Sequence, residues 1–447
     1  MEQQKRTVGM VSLGCEKNRV DGEMMLYRLQ QAGYRLVADA AMADVAIVNT
    51  CGFIDDAKQE SIEEILELGK LKAEGKIKAL VVTGCMAQRY QEEVAKELPE
   101  ADAVLGIGAN GDIVSLLDRV LSGERVQAYP DKLCLPLSGG RVQTTPEYFA
   151  YLKIAEGCDN CCSYCAIPLI RGRYRSRPME DVLQEARELA QRGVKELLVI
   201  AQDTTRYGLD LSGKLLLPQL LRELCKIDGI RWIRLLYCYP EHLTDELLEV
   251  MAQEEKICKY IDLPLQHCNE QVLRAMNRKG SRQELAALLE KVRQKVPGVV
   301  VRTTFIVGFP GETEEQFEEL AEFVQQMRFE RMGCFAYSCE EGTPAARMAG
   351  QIDEDIKRHR QELLMEQQQE ILEEYCAAQE GKVLTVLCEG YDRYAECCFG
   401  RSAADAPDVD AKVFFTAEGG RPKAGSFVPV RITEHMGCDL IGELARE

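Results

Sequence analysis

The sequence predicts an α/β protein of three domains: an N-terminal parallel-sheet α/β domain, a central partial β/α barrel and a small C-terminal all-β domain. Apolar, strand-like runs alternate with helical patterns up to about residue 376, which is typical of parallel sheets with crossover helices. After that residue only short strand-like runs remain, separated by Gly, Pro and Asp. A length of 447 residues is enough for about three domains, each with its own core.

The N-terminal α/β domain is predicted over residues 6–122. Its helical patterns include one from about residue 22 to residue 33 and one with apolar side chains at Ile62, Ile65 and Leu68. The predicted strands cover residues 8–13, 45–48, 79–82 and 104–107. Residues 123–147 mix Gly, Pro, Ser and Thr with little periodicity, and this predicts a linker.

The barrel is predicted over residues 148–376. Six strand-like runs with helices between them favour a partial or complete β/α barrel, with its site at the carboxyl ends of the strands. These strands are predicted over residues 149–154, 196–201, 232–237, 260–265, 299–307 and 332–336. A polar helix is expected over residues 353–376.

The last domain is predicted over residues 377–447. Its short strands, expected at residues 382–388, 396–399, 411–415 and 427–434, predict a small antiparallel β-barrel or sandwich.

The amino-acid composition disfavours some classes of function and favours others. The net charge is −18, so phosphates would be repelled by most of the surface, and non-specific nucleic-acid binding is disfavoured. The apolar stretch near the N-terminus is too short for a secretory signal, and no apolar run is long enough to span a bilayer. We therefore expect a cytoplasmic protein without a membrane partner. Thiols stay reduced there, so 19 cysteines indicate metal binding or catalysis rather than disulfides.

The strongest motif is a C-x3-C-x2-C run formed by Cys158, Cys162 and Cys165, here called the barrel cysteine group. Three thiolates can hold three irons of a cubane cluster and leave the fourth iron open for an external ligand. The motif follows a predicted strand, so it is expected on a loop at the catalytic face of the barrel. The alternative is a structural zinc site with Cys161 as fourth ligand, although four thiolates within eight residues would crowd a tetrahedron.

A second set of cysteines, here called the N-terminal cysteine group, consists of Cys15, Cys51 and Cys85. Each lies within a few residues of the end of an apolar run. Residues just past parallel strands converge on one crevice, so these three thiols are expected to meet and to hold a second open-iron cluster. The alternative is that each is a small buried apolar residue.

The barrel cysteine group resembles the motif of the radical S-adenosylmethionine enzymes. Together with the N-terminal cysteine group and the small β-domain, it is similar to the methylthiotransferase family, and the resemblance covers essentially the whole chain. Further motifs of this family stand at Arg302–Glu312, Leu263–His267 and Tyr337–Ala345. The resemblance implies a barrel of the radical S-adenosylmethionine type and a TRAM-like C-terminal domain.

Two runs, Cys15–Glu23 and Phe399–Asp410, resemble the branch of this family that modifies an aspartate of small-subunit ribosomal protein number twelve. Gly22, where Ser is usual, and Cys161 depart from the pattern. The C-terminal domain agrees with this branch. From residue 376 onward it has eight Lys or Arg and twelve Asp or Glu, which suits a basic protein partner better than RNA. We therefore expect this ribosomal protein as partner, a TRAM-like domain that recognises it, and no direct binding to nucleic acid.

The resemblance also implies the chemistry. The cofactors would be two 4Fe-4S clusters and S-adenosylmethionine, with an electron donor as a further partner, and no side chain would act as acid or base. The product would be an aspartate methylthiolated at its β-carbon. Tyr164 is placed to touch the adenine, and Gln202 and Asp203 to bind the amino group or ribose. Small residues after a strand allow a ligand to approach the backbone closely, and this predicts cofactor contacts at Gly308, Pro310, Gly311 and Glu312.

Three alternatives remain open. The same chemistry could act on an adenosine of transfer RNA, or the protein could be a non-catalytic iron–sulfur scaffold or electron carrier. A zinc-stabilised binding protein is the third.

Two other features are less specific. Arg171, Arg173, Arg175 and Arg177 would share one side of an extended segment and grip a carboxylate or phosphate, or else form internal salt bridges. His267 is predicted at the barrel mouth or as a structural histidine.

Overall fold

The computed structural model describes residues 6–417 and 420–445. They form three units in chain order, two with parallel sheets and one closed β-barrel. In the described part of the chain, no helix combines the length and the apolar character that a membrane crossing requires.

The N-terminal unit is a six-stranded parallel sheet in the order β2-β1-β3-β4-β5-β6. After β1 the chain first adds β2 on one side and then crosses to add β3 on the other. The point between β1 and β3 is therefore a topological switch point, where open α/β sheets bind their ligands. The strands are β1 (Thr7–Ser12), β2 (Arg35–Leu36), β3 (Val45–Thr50), β4 (Ala79–Gly84), β5 (Ala103–Leu105) and β6 (Val126–Ala128).

Helices cover both faces of this sheet. One apolar core lies under α1 and α5, and a second lies under α2, α3 and α4. The buried strands β3 and β4 are apolar along nearly their whole length because both faces are covered. The helices are α1 (Glu16–Gln31), α2 (Asp55–Ala73), α3 (Cys85–Tyr90), α4 (Glu92–Glu97) and α5 (Ile113–Leu121), with 3₁₀ turns at Ala40–Met42, Ile107–Asp112 and Lys132–Cys134.

The central unit is an open, six-stranded parallel sheet in which consecutive strands are neighbours, with β7 and β14 at its edges. This is the partial barrel. Its strands are β7 (Phe149–Lys153), β10 (Glu196–Ile200), β11 (Trp232–Leu235), β12 (Ile257–Asp262), β13 (Val300–Val307) and β14 (Arg331–Ala336), and a short antiparallel pair, β8 (Ala155–Glu156) and β9 (Arg175–Ser176), stands beside it.

The helices of the barrel pack on its outer face, where the largest apolar core lies. Its inner face is covered by Val20 of α1 and by Leu387 and Ala406 of the C-terminal unit. The helices are α6 (Ile167–Arg171), α7 (Met179–Gln191), α8 (Leu209–Ser212), α9 (Leu217–Cys225), α10 (Asp245–Gln253), α11 (Glu270–Ala275), α12 (Arg282–Lys295), α13 (Glu314–Met327) and α14 (Glu354–Ala377), with 3₁₀ turns at Pro240–His242 and Ala345–Arg347.

The C-terminal unit is a closed barrel in the strand order β15-β16-β17-β19-β18. Its strands are β15 (Val383–Asp392), β16 (Cys397–Ser402), β17 (Val413–Thr416), β18 (Phe427–Met436) and β19 (Asp439–Leu444). Four of its pairings are antiparallel, and the pairing of β17 with β19 is parallel.

The predicted fold class is confirmed, and the structure corrects several details. The predicted linker contains β6, which extends the N-terminal sheet, because a three-residue strand leaves little periodic signal. Helix α1 begins at Glu16 and not near residue 22, because buried polar side chains in its first two turns hide the apolar stripe. The C-terminal unit has a fifth strand, β19, and it is not wholly antiparallel.

Candidate functional site

The N-terminal cysteine group stands at the switch point of the first sheet. Cys15 is the N-cap residue of α1, Cys51 directly follows β3, and Cys85 directly follows β4. The first of these thiols is exposed, the second is half-buried and the third is buried. The carboxyl ends of three neighbouring strands therefore present three thiols to one crevice.

Glycines allow these loops to approach each other closely. A Cβ on Gly14 would lie 2.8 Å from the Sγ of Cys51, and the φ of Gly14 is +81°. A Cβ on Gly52 would lie 2.6 Å from the backbone nitrogen of Met86. Any larger side chain at either position would push the loops apart, because contacts below 3.0 Å essentially never occur for real Cβ atoms.

Asn18 ties two of these loops together. Its Nδ2 donates to the carbonyls of Leu13, Asn49 and Thr50 at 2.9, 3.2 and 3.3 Å. Buried carbonyls that lose such a donor destabilise a fold, so this contact fixes the backbone on either side of the switch point.

The barrel cysteine group lies on the loop between β8 and α6. Strand-end loops of the barrel hold it: the backbone N–H of Ser163 donates to the carbonyl of Met276 at 2.9 Å, and the N–H of Ala345 donates to the carbonyl of Ser163 at 2.9 Å. Cys161 is exposed with a φ of +50°. The predicted position at the carboxyl ends of the barrel strands is where the structure places this loop.

Burial keeps one thiol of each cysteine group protonated. Burial, together with the neighbouring Cys162, raises the pKa of Cys158 to about 12. Burial likewise raises the pKa of Cys85 to about 12, and Arg171 partly opposes this. Buried thiols of this kind stay protonated until a metal displaces the proton.

The donor sets fit clusters better than single ions. Among residues 6–417 and 420–445, no three His, Cys, Asp or Glu side chains converge on a point where one metal ion could bind. A zinc ion needs its four ligands around one centre, whereas each thiolate of an iron–sulfur cluster binds its own iron. Each set of three thiols could offer one thiolate to each of three irons, and so suits an iron–sulfur cluster better than a single zinc ion.

A buried network of four charges lies between the two cysteine groups. It consists of Asp21 from α1, Lys153 from β7, Glu156 from β8 and Arg171 from α6, all essentially inaccessible to solvent. The Nζ of Lys153 donates to Glu156 at 2.8 Å and to Asp21, and Arg171 donates to both carboxylates. The two positive charges balance the two negative ones, and this pairing offsets the free-energy cost of burying them.

Arg171 also contacts the N-terminal cysteine group directly. Its Nη2 donates to the Sγ of Cys85 at 3.2 Å and to the Oδ1 of Asn18 at 3.2 Å. Burial opposes the charge of Arg171, but Cys85, Glu156 and Asp21 together raise its pKa well above the usual value. Sequence reasoning missed this contact.

Three of the predicted cofactor contacts lie around the barrel cysteine group. Tyr164 packs against the apolar cluster of Phe309 and Tyr337. Gln202 donates to Glu156 at 2.8 Å, and its buried Oε1 accepts no hydrogen bond among the described residues. Asp203 is fully buried. The hydrogen bonds of Asp203 with His242, Thr205 and Asn160 lower its pKa although burial works against them.

The other four residues predicted to contact the cofactor form the turn after β13. This turn packs against the interior of the protein. The carboxylate of Glu312 accepts from the N–H of Gly308 at 2.9 Å and from Arg360 at 2.9 Å. A Cβ on Gly308 would lie 2.3 Å from the Cγ of Lys357, so the absence of a side chain here leaves room for helix α14. Pro310 is buried, and Gly311 has a φ of +82° with open space around it.

The arginine run is not extended and forms internal salt bridges, and His267 is a buried, structural histidine, which in both cases is one of the two predicted alternatives. Arg171 ends a helix and Gly172 has a φ of +79°, so the side chains do not share one side. Arg171 and Arg177 are buried and Arg173 is exposed, each in a salt bridge with this chain's own carboxylates. His267 is fully buried, and its Nδ1 accepts from the N–H of Asn269 at 2.9 Å. His267 is therefore structural, and Arg171, Arg173 and Arg177 form salt bridges within the chain.

Three family models match the chain, one for each unit. The model of the uncharacterized protein family UPF0004 matches residues 7–106, the model of the radical SAM superfamily matches residues 152–324, and the model of the TRAM domain matches residues 381–445.

Proteins named ribosomal protein uS12 methylthiotransferase RimO are similar over nearly the full length. The one from Thermoanaerobacter sp. (strain X514) is 51% identical over 439 residues, which cover 98% of this chain and 100% of the relative. The one from Lachnoclostridium phytofermentans is 49% identical over 433 residues, which cover 97% and 98%.

Solved structures share the fold at low identity. The radical S-adenosylmethionine methyltransferase TsrM from Kitasatospora setae, with cobalamin and a [4Fe-4S] cluster bound, matches 76% of this chain and 77% of its own with a TM-score of 0.57 at 14% identity. The cobalamin-dependent S-adenosylmethionine radical enzyme OxsB matches 81% of this chain and 56% of its own, with a TM-score of 0.51 at 14% identity.

Proposed function

Since the chain belongs to the RimO family of ribosomal protein uS12 methylthiotransferases, we propose that it transfers a methylthio group to the β-carbon of an aspartate of uS12. As a radical SAM protein it uses a 4Fe-4S cluster and S-adenosylmethionine. A second 4Fe-4S cluster, here called the auxiliary cluster, and an electron donor complete the proposal. The reaction takes place in the cytoplasm, where ribosomes are modified.

One observation supports this function above the others. Arg171 follows the barrel cysteine group by six residues and donates to Cys85 of the N-terminal cysteine group. The two groups therefore face each other across one short helix. A simple iron–sulfur carrier has no need of an open barrel beside its cluster, whereas sulfur transfer to a carbon needs a radical source and a sulfur source side by side.

The residues of this chain have definable tasks in that reaction. Cys158, Cys162 and Cys165 hold the radical-generating cluster, and the N-terminal cysteine group holds the auxiliary cluster. When bound, the two clusters and S-adenosylmethionine supply the radical, the sulfur and the methyl group.

The cofactor contacts are proposed on the same basis. Tyr164 lies beside the last barrel cysteine, and the unpartnered Oε1 of Gln202 is free to accept a hydrogen bond from a bound ligand. Asp203 and the turn formed by Gly308, Pro310, Gly311 and Glu312 shape the wall at the carboxyl ends of β10 and β13.

Iron and sulfide analysis after anaerobic reconstitution tests the two sites. We expect about eight irons in the wild type and about four in each of two triple variants. One variant replaces Cys158, Cys162 and Cys165 with Ala, and the other replaces the N-terminal cysteine group. A triple Cys→Ala variant at Cys225, Cys258 and Cys268, which are buried and belong to neither group, is the matched control.

The substrate is tested by mass spectrometry of uS12 after incubation with the reconstituted enzyme, S-adenosylmethionine and a reductant. We expect the added mass of a methylthio group on one aspartate. Transfer RNA is assayed in parallel. Methylthiolated adenosine, with unmodified uS12, would contradict the proposal.

A further inference from the structure

The short helix α6 lies between the two cysteine groups and contacts both. At its start, the N–H of Ile167 donates to the Sγ of Cys165 at 3.4 Å. At its end, Arg171 donates to the Sγ of Cys85 at 3.2 Å. Four residues of helix rise by about 6 Å, so the helix is a fixed spacer between the two sites. The side chain of Ile170 packs with Cys85 and Ala166 in a small buried cluster.

Arg171 is held so firmly that its donor cannot swing away from Cys85. The side chain is buried, Nη1 donates to Asp21 and Glu156, and one N–H of Nη2 donates to Asn18. A planar guanidinium held at three of its five N–H groups presents the second N–H of Nη2 in one direction. That direction is the sulfur of Cys85.

Cys85 is also the thiol of its group that depends most on a protein donor. It is buried, whereas Cys15 is exposed to water and Cys51 is half-buried beside the backbone N–H groups of Gly52 and Phe53. A hydrogen bond to a ligand sulfur stabilises the more negative, reduced form of a cluster and so raises its reduction potential. The carboxylates of the four-charge network are paired with Lys153 and Arg171.

We propose that Arg171 is a positioning residue whose N–H···S hydrogen bond to Cys85 sets the reduction potential of the auxiliary cluster. This inference rests on the proposed function, because it requires a cluster on the N-terminal cysteine group. The arginine orients the sulfur of Cys85 and would make a cluster held there easier to reduce.

The test is a redox titration of the auxiliary cluster, followed by electron paramagnetic resonance. The parent protein is the full chain with Cys158, Cys162 and Cys165 replaced by Ala, so that only the auxiliary cluster remains. Into it we introduce Arg171→Met, which removes the donor. Because that change leaves two carboxylates with one cation, a second variant combines Asp21→Asn with Arg171→Met and keeps the network neutral.

In both variants we expect a more negative midpoint potential. At an ambient potential equal to the parent's midpoint, the ratio of oxidised to reduced cluster should rise about tenfold, which corresponds to 59 mV for a one-electron couple. Arg173→Met is the matched control, since Arg173 is exposed and pairs with Asp159. It should leave the midpoint unchanged.

Two results would overturn the inference. One is a charge-balanced variant that keeps about four irons and titrates at the parent's midpoint. The other is a charge-balanced variant that loses its iron, because the arginine would then be needed to hold the cluster and not to tune it. A parent that binds no iron would instead overturn the auxiliary cluster and the proposed function with it.

Discussion

Gly14 is the residue that decides how closely Cys15 and Cys51 approach. Its φ of +81° would strain any other residue, and its Cβ would collide with the sulfur of Cys51. We expect Gly14→Ala to displace that sulfur and to reduce bound iron from about eight to about four while the fold is kept. The measurement is iron per chain after reconstitution, with circular dichroism to verify folding.

Gly75 provides the control for this substitution. Its φ is +75°, but nothing lies within 4 Å of a Cβ there. Gly75→Ala therefore introduces the backbone strain, of roughly 1–2 kcal/mol, without the collision. If it lost as much iron as Gly14→Ala, strain and not the sulfur contact would be responsible.

His267 gives the fold a predictable dependence on pH. Burial, aided by Arg360, lowers the pKa of His267 to about 3, while an unfolded histidine titrates near pH 6.5. The unfolded state thus binds one more proton between these pH values. The contribution of His267 to the free energy of unfolding is fully present above about pH 6.5. It decreases as the pH falls below this value, by up to about 1.4 kcal/mol per pH unit.

The measurement is the free energy of unfolding in urea at several pH values between 7 and 5. In His267→Asn, the Oδ1 of the new side chain can accept the same hydrogen bond from Asn269. The free energy of unfolding should then depend less steeply on pH, by the equivalent of about one bound proton. His359 is exposed, so His359→Asn should follow the wild type. Parallel profiles for wild type and His267→Asn would refute this assignment.

At the scale of residues, the sequence predicts where the cysteine thiols lie but not which side chains contact them. The positions of the six cysteines follow from strand ends, because chain geometry places such residues at one edge of a sheet. The partners of Arg171 do not follow, since Asp21 and Cys85 lie 150 and 86 residues away. No spacing rule relates residues on different domains.

At the scale of elements, Lys153 joins strand β7 of the barrel to helix α1 of the N-terminal sheet. It pairs with Asp21 and Glu156 where solvent is excluded. Lys153→Met would leave two buried carboxylates to share Arg171. Breaking a buried ion pair in this way typically costs about 3–5 kcal/mol, and we expect a loss of that size.

Chemical denaturation in urea checks this expectation. Lys96 pairs with Glu97 on the surface, where ion pairs contribute little, so Lys96→Met should change the midpoint only slightly. Equal, small effects of the two substitutions would mean that the four-charge network contributes nothing to the docking of α1.

Helices and strands with a regular pattern of apolar residues could be predicted from the sequence. Those that depend on contacts with distant parts of the chain could not. The strands that the barrel buries on both faces stand out as apolar runs. Helix α1 does not, because its first turns bury the polar side chains Lys17, Asn18 and Asp21. Strand β6 is three residues long and gains its order from pairing with β5.

At the scale of the molecule, the domains are joined by buried charges whose partners lie far apart in the chain. Arg401 of the C-terminal barrel donates to Glu196 of β10 at 2.6 Å, a separation of 205 residues. Arg331 of β14 donates to Asp405 at 2.5 Å. The three domains were predictable from local patterns, whereas the way in which they interlock was not.

Glu196 is the centre of this junction, and its substitution should uncouple the C-terminal barrel from the rest. It accepts from Arg234 at 2.9 Å as well as from Arg401, and these two cations lower its pKa although burial opposes them. Glu196→Gln removes the charge that both guanidiniums share, so the interface between the barrels weakens while each barrel keeps its own core. We expect calorimetry to show one transition for the wild type and two for the variant.

In that variant the C-terminal barrel should melt first, about 5 °C or more below the wild type, because losing a buried pair weakens the interface by several kcal/mol. Glu246→Gln is the control, since Glu246 pairs with Arg222 at the surface. A single transition at the wild-type temperature in Glu196→Gln would show that apolar contacts such as that of Leu387 with the inner face of the barrel suffice to hold the domains together. The buried charges would then specify the docking geometry without adding to its strength.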